Sequence, residues 1–362
     1  MSRRHANALR ATFTLPKVSV GGALIVLAAL VPVLFTSQYT LGVLITMLTI
    51  MILNVSWNFL LGYAGVWNFG QLAMYAVGGY CGGLLIIHSS LTPWLGILGG
   101  GVAGMLLATL LAFPTLRLYG IYTSLLTFAA AEIIELLIQA DGSGFTGGTF
   151  GLPSVRGLFA SLSPVAGLRA WYWLCLAVLV LTTAVLAVIA RTTFGLGLRT
   201  VRDSLPYGSA RGISVLRTRV VAFALSGFVA GLAGGLYTVY NGSISPDVMG
   251  LTPMSIYVTM IVVGGLGTVS GPIVGTLLLT GVQQALINHP GTELTVFGAI
   301  LLIIVVFLPR GLVAGASTAR SRVSQWVQEG ADDEDAEGEP LDGEAGPAEA
   351  GVGPGGQQIV AR

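Results

Sequence analysis

The sequence predicts an all-α polytopic membrane protein with about ten transmembrane helices, some of them broken or re-entrant, followed by a disordered acidic tail. Apolar runs recur between Val20 and Leu308, many of them near the ~20 residues a helix needs to cross a bilayer. Of 362 residues, 54% are hydrophobic and 9% charged, whereas soluble domains carry about 25% charge. The charges that exist gather in short breaks and at the two ends of the chain.

Taken in order, residues 1–19 place Arg3, Arg4, Arg10 and Lys17 before the run Val20–Phe35. A secretory signal has this look. No small-x-small cleavage site follows, however, and a second long run opens at Thr40, so the reading is an uncleaved first span with a cytoplasmic N-terminus. Expected spans are 20–36, 40–61, 69–88, 94–113, 119–138, 171–190, 220–240, 252–266, 272–288 and 293–309. Arginines orient them, because basic residues are enriched in short cytoplasmic loops. The break 191–219 holds Arg191, Arg199, Arg202, Arg211, Arg217 and Arg219 against one acid, Asp203. Arg117 lies in another break, and Arg310, Arg320 and Arg322 follow the last span. With all of these on one side, the crossings must be even in number. Residues 252–288 then cross twice around Gly264–Pro272, or their short arms meet as half-helices inside the membrane. Segment 139–170 becomes the one long external loop.

The membrane domain so defined occupies 20–312, and a cytoplasmic tail 313–362. Ten of the sixteen acids follow residue 328. From about residue 330 the Gly/Ala/Glu/Asp/Pro-rich chain holds too little apolar surface to offset its ordering entropy. Trp326 and Val323, among Arg320 and Arg322, read either as a short interfacial helix or as plain juxtamembrane chain.

Several function classes are excluded at this level. Lys17 is the only lysine and has no Gly-rich turn before it, so the chain carries no phosphate-binding P-loop of its own. Any ATP-driven motor must reside on another chain. Cys81 and Cys175 lie inside apolar runs and read as small buried hydrophobes. His5, His88 and His289 have no ligand spacing, so no metal, cofactor or catalytic group is expected. No basic patch interleaved with aromatics appears, which argues against nucleic acid.

Three features remain as candidates for function. Gly-rich breaks interrupt apolar helices at Gly62–Gln71 and at 264–272. In a bilayer such backbone survives only where protein buries it or a wet cavity receives it, and transporters use broken helices to hold solutes. Close helix packing on small residues, helped by Gly78, Gly79, Gly82 and Gly83, accounts for glycines equally well. Asn68 and Gln71 shift the balance, since amides in lipid need partners. Asn68, Phe69, Gly70, Gln71, Gly264, Gly265 and Gly267 are thus the expected substrate pathway. Glu132 and Glu135 share one helix face at i, i+3, with Gln139 beside them. They would serve proton coupling or a structural polar contact. In 191–219, Asp203 or Ser204 would cap a short helix that tolerates Pro206 in its first turn and stops at Gly212. That is either a solvated positive loop or a docking helix for a cytoplasmic partner.

Gly62-Tyr63-Ala64-Gly65 running into Asn68-Phe69-Gly70-Gln71 and Gly78-Gly79-Tyr80 resembles a signature of branched-chain amino acid ABC transporter permeases (Liv-type). So does Leu116-Arg117-Leu118-Tyr119-Gly120-Ile121-Tyr122, continuing to Thr127-Phe128 and Glu132-Ile133. Thr146-Gly147-Gly148 before Gly151-Leu152, and Phe194-Gly195 with Arg199, Arg202 and Asp203, also match. Gly264-Gly265-Leu266-Gly267-Thr268 before Gly271-Pro272, and Phe307-Leu308-Pro309-Arg310-Gly311-Leu312, complete an ordered set over roughly 40–312. The resemblance implies an ABC importer permease fold in a prokaryotic inner membrane. It implies a second permease subunit, identical or different, two cytoplasmic ATPase subunits and an extracytoplasmic binding protein. It makes 191–219 the coupling loop, with Arg202, Asp203 and Gly212 matching, and it places Glu132 among family-typical residues. The chain departs from the pattern in three places. Ser209-Ala210-Arg211-Gly212 lacks the usual preceding acid, Gln71 stands where His is common, and Glu135 stands where many relatives have a base. Gln71 also suits urea or short-amide permeases. The expected function is therefore import of branched-chain amino acids or a similar neutral or zwitterionic solute. An amide permease and a proton-coupled carrier using Glu132 and Glu135 are the rivals.

Overall fold

Helices dominate because the apolar runs leave backbone groups no partner in lipid except their own. The computed structural model describes residues 27–33 and 37–313, apart from 90, 119, 143, 154, 160, 288–290, 309 and 310. The N-terminal segment 1–19, most of the span expected at 20–36, the Trp326 stretch and the acidic tail lie outside the described residues.

Helix α1 (Gln38–Asn58) runs on as a π turn, Phe59–Ala64. After it come α2 (Gln71–Ser89), α3 (Pro93–Thr115), α4 (Ile121–Gln139) and α5 (Pro164–Ile189). The basic segment folds as α6 (Thr193–Asp203) and α7 (Leu205–Ala210). The chain continues through α8 (Val215–Asn241), α9 (Leu251–Gly264), α10 (Gly271–Ala285) and α11 (Glu293–Phe307). Six of these are long and apolar enough to cross a membrane: α1 with its π turn, α2, α3, α4, α5 and α8. The arms expected at 252–266, 272–288 and 293–309 form helices of 14, 15 and 15 residues, below that length.

Two helices begin earlier than apolar runs alone suggest. Helix α5 starts at Pro164, with proline in its first turn, rather than at 171; proline is pre-set for that position. Helix α8 starts at Val215 because Ser214 caps it, its hydroxyl accepting from the Arg217 N–H. Arg169 and Arg217 are therefore carried on helix ends.

Helices α2, α3 and α8 pack on matched small-residue rows, Gly78/Gly82, Gly96/Gly100/Gly104 and Gly227/Gly231/Gly235. A methyl group at Gly78 or Gly100 would run into the backbone across the interface, at Gly231 and Gly78 respectively. Such rows let backbones approach where lipid offers no hydrophobic drive. One apolar core joins these helices to α1 and α5, with Trp57, Phe59 and Phe223 fully buried in it. A smaller cluster, including Met260, Leu279 and Phe297, joins α9, α10 and α11. Cys175 is buried, Cys81 half-buried, and both are free thiols. On α4 the side chains of Leu125, Ile133, Leu136 and Leu137 face outward.

Candidate translocation and coupling site

The first break begins where α1 widens into its π turn and ends on Gly65 at φ +68°. Single π turns inside α-helices recur at functional sites. Beyond it, Asn68 and Gln71 are completely buried, and their amides are spent on one another and on neighbours. The Gln71 Nε2 donates to the hydroxyls of Ser56 (3.0 Å) and Ser226 (2.9 Å). Its Oε1 accepts from Asn68 Nδ2 (3.1 Å), whose own Oδ1 accepts from the Gly70 N–H (3.1 Å). Ser226 donates to the Ser56 carbonyl at 2.8 Å, and the Phe69 N–H donates to Thr127 Oγ1 at 3.0 Å. A buried amide is tolerated only when satisfied in this way. The network pins the break to α1, α4 and α8. The expected pathway residues Asn68 and Gln71 are thus in the break, with their side chains turned to protein.

The second break, between α9 and α10, lies against the first. Asn58 clasps it: its Oδ1 accepts from the Gly267 N–H (2.9 Å) and its Nδ2 donates to the Thr268 carbonyl (2.8 Å). Gly62, one turn on, has no room for a side chain, because a methyl group there would overlap the Gly267 backbone. Gly265 and Gly267 hold φ of +118° and +72°, in the range that favours glycine. Gly264 abuts the Gly271 backbone, closing the turn. Asn58 is a residue that sequence reasoning misses; the available signal is an amide four residues before Gly62 in an otherwise apolar helix.

The basic segment reaches the same place. Arg202 Nη1 donates to the Gly62 carbonyl (2.7 Å), and its Nε pairs with Asp203 Oδ1 (2.9 Å). Carbonyls in a helix's last turn lack intrahelical partners, and a guanidinium there also complements the helix dipole. The aliphatic part of Arg202 packs on Gly65, and the Arg199 guanidinium lies 5.1 Å from the Tyr63 ring centre. Helix α6 goes beyond the sequence reading, which puts a single short helix in this segment. Its buried Leu198 and Val201 are the signal for it. The short helix α7 has the caps expected: Ser204 accepts from the Tyr207 N–H, Pro206 sits in the first turn, and Gly212 has φ of +77°. Gly212 is exposed and takes no part in the Gly62 contacts.

Three separate stretches of sequence therefore converge on Gly62. Over residues 39–308 the chain matches the family model described as the permease component of a branched-chain amino acid transport system. The chain belongs to that family. It is 25% identical to the high-affinity branched-chain amino acid transport system permease protein LivM of Escherichia coli K12, over 80% of this chain and 73% of that protein. It is 27% identical to a probable branched-chain amino acid transport permease protein LivH of Methanocaldococcus jannaschii, over 66% and 78%. The autoinducer 2 import system permease protein LsrC of Klebsiella pneumoniae is 30% identical over 53% of each chain. No solved structure matches significantly.

Elsewhere in this permease, Glu132 and Glu135 sit half-buried on α4, a helix packed only lightly on the rest. Glu135 Oε1 accepts from Gln139 Nε2 at 3.0 Å, within one turn. Among the described residues no ion pair joins either glutamate to Arg156 or Arg169. The carboxylates stand apart from the convergence at Gly62.

Proposed function

We propose that this permease is one of two membrane subunits of an ABC importer that moves branched-chain amino acids, or a similar neutral or zwitterionic solute, across a prokaryotic inner membrane. One observation carries the reading: Arg202 of the basic segment holds the Gly62 carbonyl while Gly62 packs on Gly267. A push on α6 and α7 would be felt at both helix breaks at once, which is what coupling to a separate ATPase requires. In this reading α6 and α7 dock on two cytoplasmic ATPase subunits, through Arg202, Asp203 and the stretch to Gly212. A binding protein delivers substrate at the opposite face, and both termini are cytoplasmic, as the arginines of 191–219 favour. Asn68, Phe69, Gly70 and Gln71, with Gly264, Gly265 and Gly267, border the pathway. Asn68 and Gln71 act by fixing the break.

Contacts along α1 support ten crossings rather than a re-entrant pair. Tyr39, Asn54 and Asn58 of α1 bond to Gln284, Thr276 and Thr268 respectively, so α10 and its turn accompany α1 for about 30 Å at 1.5 Å per residue. With the span expected at 20–36, the short helices α9, α10 and α11 complete the even count. The family match does not favour the amide permease or the proton-coupled carrier, and the Glu135–Gln139 bond gives Glu135 a structural role. The test is uptake of labelled leucine by vesicles holding the permease with its partner subunit, the ATPases and the binding protein. Concentrative, ATP-dependent uptake is expected, and uptake driven by a pH gradient alone would overturn the reading.

A further inference from the structure

A cavity of about 720 Å³ opens between α1, α2, α8, α9 and α10, at the end of α1 far from Arg202. Gly42 lines it, and Gly62 marks the Arg202 end, ~30 Å away along the helix. The volume lies within the ~300–1,000 Å³ range of small-molecule sites. Five tyrosines line it, Tyr39, Tyr75, Tyr237, Tyr240 and Tyr257, over an aliphatic wall of Val43, Met47, Ile50 and Ile256. Among the described residues no charged side chain contributes.

One buried hydroxyl is the telling group. Thr280 is only 6% exposed, faces this cavity, and its hydroxyl has no hydrogen-bond partner. A buried hydroxyl left so is costly unless something else completes it. One turn deeper on α10, Thr276 Oγ1 accepts from Asn54 Nδ2 at 2.8 Å, and the Asn54 Oδ1 is likewise buried without a partner. Four residues on, on the same face of α1, Asn58 holds the second break. Two buried polar groups without a partner, the Thr280 hydroxyl and the Asn54 Oδ1, thus lie between the cavity and Asn58.

We infer that this cavity is a substrate site on the extracytoplasmic side, and that Thr280, Thr276, Asn54 and Asn58 mark the closed route from it to the helix breaks. The inference rests on the importer reading above. The ligand class follows from the walls. Tyrosine faces hold an ammonium, hydroxyls from Thr280 and the tyrosines other than Tyr39 donate to a carboxylate, and the aliphatic wall takes an apolar side chain. An anion or a divalent cation would find no counter-charge.

The test uses Thr46→Cys, at a position half-buried in the cavity wall, in the complete transporter in right-side-out vesicles. The wild-type complex, with Cys81 and Cys175, gives the background. A membrane-impermeant maleimide should label the introduced thiol from outside, leucine should slow the labelling, and labelled transporter should lose about tenfold or more of its uptake rate. Absence of outside labelling, or labelling without effect on uptake, overturns the site. A second pair tests the route: Thr280→Val should slow uptake several-fold while Thr280→Ser does not, and wild-type uptake by Thr280→Val overturns it. Failure of the importer reading shows separately, as a wild-type complex that takes up no leucine, while labelling still reports whether the cavity opens outward.

Discussion

At Gly62 a hydrogen atom is the only side chain that fits, and two partners depend on it. Gly62→Ala would force its methyl group into the Gly267 backbone and toward the Asn58 Oδ1. Overpacking of this kind costs about 1–3 kcal/mol, so the purified variant should unfold at lower temperature in detergent; an unchanged midpoint would refute the close approach. Gln71 invites a graded comparison. Gln71→Leu leaves the Asn68 Nδ2 without its oxygen acceptor and removes the donor shared by the Ser56 and Ser226 hydroxyls, which keep their carbonyl acceptors; a buried unsatisfied group costs about 1–3 kcal/mol. Gln71→His keeps a donor and an acceptor and should lose clearly less. Thermal unfolding of both variants checks this, and equal losses would mean that packing rather than hydrogen bonding fixes the break. Arg202 is 39% exposed at its side chain, so its ion pair with Asp203 adds little to stability. In the proposed coupling, its bond to the Gly62 carbonyl is the contact that carries the motion. Arg202→Ala should therefore leave the complex assembled and weaken the stimulation of ATP hydrolysis by loaded binding protein, which an ATPase assay on the whole transporter reads directly.

Among the elements, α7 has six residues and stands on its caps more than on packing, since Gly208 is its one buried residue. Short helices are marginal on their own. Removing the Ser204 hydroxyl costs about 0.5–2 kcal/mol in general, and at 3.4 Å the bond here belongs at the low end of that range. Ser204→Ala should speed amide hydrogen exchange at Tyr207–Ala210 while leaving α8 protected; exchange as slow as wild type would show that tertiary contacts hold α7. The glycine rows of α2, α3 and α8 behave oppositely, as rigid joints. Backbone of Gly100 and Gly104 bars any side chain at Gly231, so Gly231→Leu should abolish accumulation of folded protein in the membrane, read by detergent-soluble yield.

For the whole molecule, the division of labour decides the physics. The chain offers broken helices, an uncharged cavity and a basic face, and it carries no phosphate-binding lysine. Reconstituted alone it should be inert in concentrative uptake. The weakly covered α4 turns apolar Leu136 and Leu137 outward, a face suited to lipid or, in the proposed importer, to the second membrane subunit.

What the sequence determined by itself was everything governed by solvent and short range. Apolar length set the helices, and Ser204, Pro206 and Gly212 set a small helix by local hydrogen bonds and fixed dihedrals. The glycines at 62–65 and 264–267 announced two breaks. Only the tertiary structure decided that those breaks touch, that Asn58 joins them and that Arg202 holds the first. Those partners lie 140 and more residues apart, and a single glycine or amide carries no mark of which distant backbone will come to meet it. The same limit hid α6 and the tyrosine-lined cavity, whose walls come from five helices and become one surface only when the bundle closes.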